Sequence, residues 1–82
     1  MSIQKIEVLV ELKPEVLDPQ GRAIHETLSR IGVKGVEKVK VSKRFVLEVS
    51  SELASDKSAL EKLAADFLSN PVSETYVLKF LS

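Results

Sequence analysis

From Leu12 to Gly21 the chain reads Leu-Lys-Pro-Glu-Val-Leu-Asp-Pro-Gln-Gly, with Pro14 and Pro19 bracketing a short polar segment. No regular element can cross it. Pro14 has no N–H to donate and biases Lys13 toward extended backbone, so a strand arriving from the N-terminal side loses its ladder there. Asp18 fits a helix N-cap, its carboxylate accepting a backbone N–H shortly beyond, and Pro19 suits the first helical position, where a missing N–H costs nothing. The stretch therefore predicts a strand-to-helix corner, a structural device without catalytic chemistry of its own.

On either side the periodicities agree. Ile6, Val8, Val10 and Leu12 alternate with Lys5, Glu7, Leu9 and Glu11, the period of a strand buried on one face. Beyond the corner, Ile24, Leu28 and Ile31 recur at helical spacing with Ala23 beside them, and Gly32 is a left-handed stop, predicting a helix over roughly 19–31. Gly21 in its first turn lowers helix propensity, which is accounted for if another backbone passes close by. The valine-rich run 36–49 predicts two strands, one with Val39 and Val41, the other with Phe45, Leu47 and Val49. Ser42-Lys43 offers no Gly or Asn for a two-residue hairpin, so a single long, bent strand is the alternative. Ser50 to Asp56 reads as a polar turn with Ser55 or Asp56 as cap. Leu60, Leu63, Ala64, Phe67 and Leu68 then define the clearest amphipathic helix. Lys62 and Asp66 are i, i+4 partners on it. Asn70 suits a left-handed helix end, Pro71 forbids continuation, and a last strand carries Val72, Tyr76, Leu78 and Phe80 on one face.

The order is β-α-β-β-α-β within one domain, 1–82. It predicts an α+β, ferredoxin-like fold: a four-stranded antiparallel sheet with two helices on one face. The uncovered face would then hold Leu9, Val46, Val77 and Leu81 among charged neighbours, a candidate self-association surface. A core of this size contributes only about 3–5 kcal/mol beyond its ordering cost, which makes such a surface useful.

Composition narrows the function classes. The chain has no cysteine, and its 12 basic and 12 acidic residues cancel. Disulfides and thiolate metal sites are excluded, and the balance argues against a general polyanion binder. The basic run Lys34, Lys38, Lys40, Lys43 and Arg44 would suit an acidic protein patch better than RNA, since Phe45 is its sole aromatic neighbour and faces inward. No apolar run approaches a membrane span and none resembles a signal peptide, so the expectation is a soluble cytoplasmic protein contacting neither nucleic acid nor membrane. His25, the single histidine, lies in the first helix without a nucleophile or metal cluster around it, and the glycines match no phosphate-binding loop. Metal sites and catalytic residues are expected to be absent.

Taken together, the LKPEVLDPQG corner, the amphipathic helix, the valine-rich segment and Ser69-Asn70-Pro71-Val72 leading to Tyr76 resemble the PurS family, from Val8 to about Phe80. The resemblance implies the small, non-catalytic subunit of phosphoribosylformylglycinamidine synthase in purine biosynthesis. It further implies a dimer or tetramer of this chain that bridges a glutaminase subunit (PurQ) and a synthetase subunit (PurL). Those partners use glutamine, ATP and Mg, while this chain binds no cofactor. Carried over by position, Lys13, Asp18, Pro19, Gln20, Gly21, Asn70, Pro71 and Val72 become candidate partner contacts, with Arg22 beside them. Capping already explains Asp18, Pro19 and Asn70, so Lys13, Gln20 and Arg22 are the better candidates. The chain departs from the family at Val41-Ser42-Lys43, where relatives usually read valine-glycine-lysine. An ACT-type small-molecule regulatory domain shares the element order, but Pro14 and Pro19 occupy the corner where such domains often place a glycine to admit an amino acid.

Overall fold

The computed structural model describes residues 3–81, so residues 1, 2 and 82 of the expected domain lie outside it. Its centre is strand β1, Ile3–Leu12. Ile6, Val8 and Val10 are 0–1% exposed, as the alternation requires. Strand β2, Lys43–Ser50, and strand β3, Glu74–Phe80, pair antiparallel with β1 on opposite sides. Val8 faces Phe45 on one side and Leu78 on the other, so apolar residues of all three strands share the inner face.

Two short helices cover that face. Ser50 caps α2, Ser51–Ala54, by accepting from the Leu53 N–H, and Asp56 caps α3, Lys57–Leu63, by accepting from the Ala59 N–H. Leu60 and Ala64 are buried against β1, completing two adjoining clusters. Residues 64–68 widen into a π-turn. The Ser69 hydroxyl donates to the Ala64 carbonyl at 2.9 Å and fixes the end of that turn.

Several expectations need correction. Among the described residues three strands form instead of four, in the order β2-β1-β3, because 36–41 makes no ladder and leads straight into β2. Serine therefore suffices at position 42: no described residue other than glycine has a positive φ. Asn70 accordingly does not take the left-handed position. The expected turn at 50–56 contains α2, since Ser50 supplies a cap that its polar neighbours disguised. Val72 lies outside the last strand and is 81% exposed. Among the described residues Lys62 and Asp66 form no ion pair, the π-turn having altered helical spacing between them.

The largest departure concerns helix α1, Pro19–Arg30. It begins and ends as its caps dictate, with Gly32 at φ 93°. Yet neither core cluster includes a residue between Lys13 and Ser42. Ile24 is 45% exposed and Ile31 67%. Only one of the two expected helices thus covers the sheet, with α2 beside it. The radius of gyration is 16.5 Å and the long axis 52 Å, whereas a compact chain of this length has a radius near about 12 Å. Helix α1 and residues 33–42 form an arm.

Candidate functional site

Where the arm leaves the sheet, Asp18 joins its two halves. One carboxylate oxygen accepts from the Gly21 N–H at 2.9 Å, capping α1, and the other accepts from the Val41 N–H at 2.9 Å. The Gly21 N–H above all, then the Val41 N–H, hold this carboxyl below its ordinary pKa; slight desolvation opposes them, while the Gln20 N–H and the Lys40 charge assist. Asp18 is an anchor for backbone.

Gly21 is buried because the carbonyl of Val39 lies where its Cβ would stand. This is the close backbone approach that the glycine's position predicts. Further along α1, His25 Nε2 lies 2.8 Å from the Val36 carbonyl oxygen. Residues 36–41 thus run alongside the first turns of the helix, in the opposite direction.

The second sequence element meets the corner here. The Lys13 N–H donates to the Ser73 carbonyl at 2.9 Å. Asn70 closes a tight turn: its side-chain oxygen accepts from the Val72 N–H, and its carbonyl accepts from the N–H groups of Ser73 and Glu74. Glu74 in turn accepts from the Asn70 N–H and pairs with Lys43 at 3.4 Å. Two stretches far apart in sequence become one end of the sheet.

Within that surface, Pro19, Gln20, Arg22, Pro71 and Val72 are exposed, while Lys13 and Asp18 are half-buried. Arg22 also pairs with Glu26 at 3.5 Å, an exposed contact of little energetic weight. A cleft of 440 Å³ opens between the corner, the start of α1 and residues 37–41, with Glu11, Glu15, Arg22, His25, Lys38 and Lys40 on its walls. A second hollow of 340 Å³, lined by Pro19, Gln20, Ser42, Lys43 and Glu74, lies between the corner and β2. Among the described residues no three His, Asp or Glu side chains converge as a metal-binding group. The arrangement offers a polar, backbone-braced relief suited to docking.

Sequence reasoning missed Ser42, Lys43 and Glu74 as members of this end. Glu74 carried no signal in its own segment, since its role comes from facing Leu12 across the sheet. The other nominated surface lies on the sheet's outer face. There Val46, Val77 and Leu81 are exposed, Leu9 is half-buried opposite Val77, and Arg44 pairs with Glu7 among them.

Comparison with known proteins gives a consistent result. The sequence model of the PurS family, described as phosphoribosylformylglycinamidine (FGAM) synthase, matches residues 5–82. The phosphoribosylformylglycinamidine synthase subunit PurS of Mycobacterium leprae is 41% identical over 71 residues, covering 87% of each chain. The crystal structure of Methanocaldococcus jannaschii PurS, a subunit of formylglycinamide ribonucleotide amidotransferase in the purine biosynthetic pathway, superposes with a TM-score of 0.84 at 29% identity, over 96% of both chains. A chain of the Thermotoga maritima PurLQS structure superposes with a TM-score of 0.81 at 30% identity, over 99% of this chain and 100% of that one.

Proposed function

The chain belongs to the PurS family of FGAM synthase subunits, and from that premise we propose that it is the non-catalytic bridging subunit of the enzyme. It holds a glutaminase subunit and an ATP-dependent synthetase subunit in register, so that ammonia released from glutamine reaches the synthetase site undiluted and unprotonated. The observation that supports this most directly is the match of nearly the whole chain to a chain of the PurLQS assembly. The physical reading agrees with it, because the corner and the Asn70 turn form a relief whose hydrogen bonds brace backbone.

Partner contact is assigned to that relief: Lys13, Gln20 and Arg22, with Asp18, Pro19, Gly21, Asn70, Pro71 and Val72 shaping it. The protein acts as one PurS-like domain over residues 1–82, of ferredoxin-like kind, and works as a dimer or higher oligomer in the cytoplasm. Leu9, Val46, Val77 and Leu81 on the outer face are assigned to contacts between copies in the larger assembly. The chain itself holds no cofactor; its partners consume ATP and glutamine and use Mg. Among the described residues no helix is long and apolar enough to cross a membrane.

The test is a reconstitution of synthetase and glutaminase subunits from the same source, with and without this chain. Addition should restore turnover with glutamine while leaving turnover with ammonium little changed. Equal rates with glutamine in its presence and absence, using partners of demonstrated competence, would exclude the bridging role.

A further inference from the structure

Glu74 ties together the separate pieces of the end of the sheet to which partner contact is assigned. It stands first in β3, opposite Leu12 at the close of β1. Its Oε1 accepts the Asn70 N–H at 2.7 Å, its Oε2 lies 3.4 Å from Lys43 Nζ at the start of β2, and its own N–H donates to the Asn70 carbonyl at 2.7 Å. The residue before it, Ser73, takes the Lys13 N–H. Lys43 faces Val10 across one ladder and Glu74 faces Leu12 across the other, so both side chains lie on the inner face with those two residues. Their ion pair therefore crosses the central strand, joining strands about 10 Å apart.

The two partners of that pair are unequally placed. The Glu74 side chain is 13% exposed and that of Lys43 57%. A carboxylate so far removed from water needs partners, and an exposed lysine is a weak one. The Asn70 N–H is the stronger, because a backbone donor at short distance from an ionised acceptor makes a charge-assisted bond. Residues 70 and 74 are thus bonded in both directions, and the loop between them, carrying exposed Pro71 and Val72, has fixed ends. Lys43 and Glu74 also line the hollow that contains Gln20.

We propose that Glu74 is the positioning residue of the docking end. Without touching a partner, it sets the Asn70 turn against the corner, so that Pro71 and Val72 meet a partner together with Lys13 and Gln20 as one preformed relief. Lys43 assists as its tie to β2. The proposal rests on the assignment of partner contact to this end. Preorganisation of this kind changes how much of the chain is needed to couple the catalytic subunits, and leaves the rate of the assembled complex alone.

The test uses the reconstituted three-subunit system and full-length variants whose folding is confirmed by circular dichroism. Glu74→Ala should raise the concentration of this chain needed for half-maximal glutamine-dependent turnover about tenfold. It should reach the native plateau, and amide exchange at Asn70 should quicken. Glu74→Gln keeps an oxygen for the Asn70 N–H and loses only the ion pair, so it should match Lys43→Met, each raising the requirement about two- to threefold. In the Glu74→Ala background, Lys43→Met should add nothing, because a lysine that acts through Glu74 has no effect without it. A folded Glu74→Ala chain with the native requirement would overturn the proposal. So would a lowered plateau, which would place Glu74 against the reacting complex, or a full second loss from Lys43→Met, which would place Lys43 against a partner on its own. Should Glu74→Ala fail to fold, the other two variants decide: equal rises support the proposal, and native behaviour in either overturns it. Failure of the bridging role looks different, since the native chain would then restore no turnover with glutamine, and the proposal falls with it.

Discussion

At the scale of single residues, Gly21 and Asp18 decide where the arm goes. An alanine in the first turn of a solvent-exposed helix ordinarily adds about 1 kcal/mol over glycine. At Gly21 the added Cβ would meet the Val39 carbonyl, and forced overlap of this kind costs about 1–3 kcal/mol. Gly21→Ala should therefore lower stability in a urea titration, the opposite sign to that of propensity alone. Asp18 makes a pH prediction. Its carboxyl is held below the ordinary value by the Gly21 and Val41 N–H groups, so its contribution is complete above the unfolded-state pKa near about 4 and is lost as pH falls through the lower native value. Asp18→Asn should consequently be less stable than the native protein at neutral pH. The difference should close as pH drops from about 5 through the carboxylate range, which thermal melts across a pH series would measure. If the gap were independent of pH, Asp18 would act through packing alone.

At the scale of elements, the same physics separates what could be read in advance from what could not. Strand β1, the Asp18-Pro19 start of α1, the Gly32 stop and the Asp56 cap were legible because each depends on near neighbours in sequence. So was most of the inner face of α3, although Phe67, placed on it by helical spacing, is turned out by the π-turn and 81% exposed; that face carries a prediction. Leu60 is 1% exposed against Ile6 and Ala54, and Leu60→Ala should cost about 2–5 kcal/mol. In a domain of this size that approaches the whole margin, so the variant should be largely unfolded at room temperature by circular dichroism. Helix α2 was hidden by its serines, which read as turn formers until Ser50 is seen capping. The fate of residues 36–41 was not legible either. Alternating valines specify a strand, but neither a hairpin back onto β2 nor a straight extension out of the sheet. What decides is the pair of bonds from Asp18 and His25, whose partners lie 23 and 11 residues away. The candidate site was half legible for a similar reason: the corner and the Asn70 turn stood out separately, while their union through Lys13 and Ser73 and the ion pair of Lys43 with Glu74 exist only in three dimensions.

At the scale of the whole molecule, a three-stranded sheet with a projecting arm has little interior in which to enclose a substrate and a large surface with which to hold neighbours. Its functional variants should therefore change coupling between other active sites without changing chemistry at either one. Lys13, Gln20 and Arg22 test this, since they lie at the proposed docking end and take no part in the described core. The triple change Lys13→Ala, Gln20→Ala and Arg22→Ala should preserve the fold and the oligomeric state. Truncated side chains that matter at an interface cost upward of about 1 kcal/mol each, and about 1.4 kcal/mol is tenfold in affinity. The concentration of this chain needed for half-maximal glutamine-dependent turnover should thus rise about tenfold or more, while ammonium-dependent turnover by the synthetase subunit stays near its usual rate. An equal fall with both nitrogen donors would place these residues against the synthetase chemistry itself. An unchanged requirement would move the docking surface elsewhere, with the outer face around Val46 and Val77 next to be mutated.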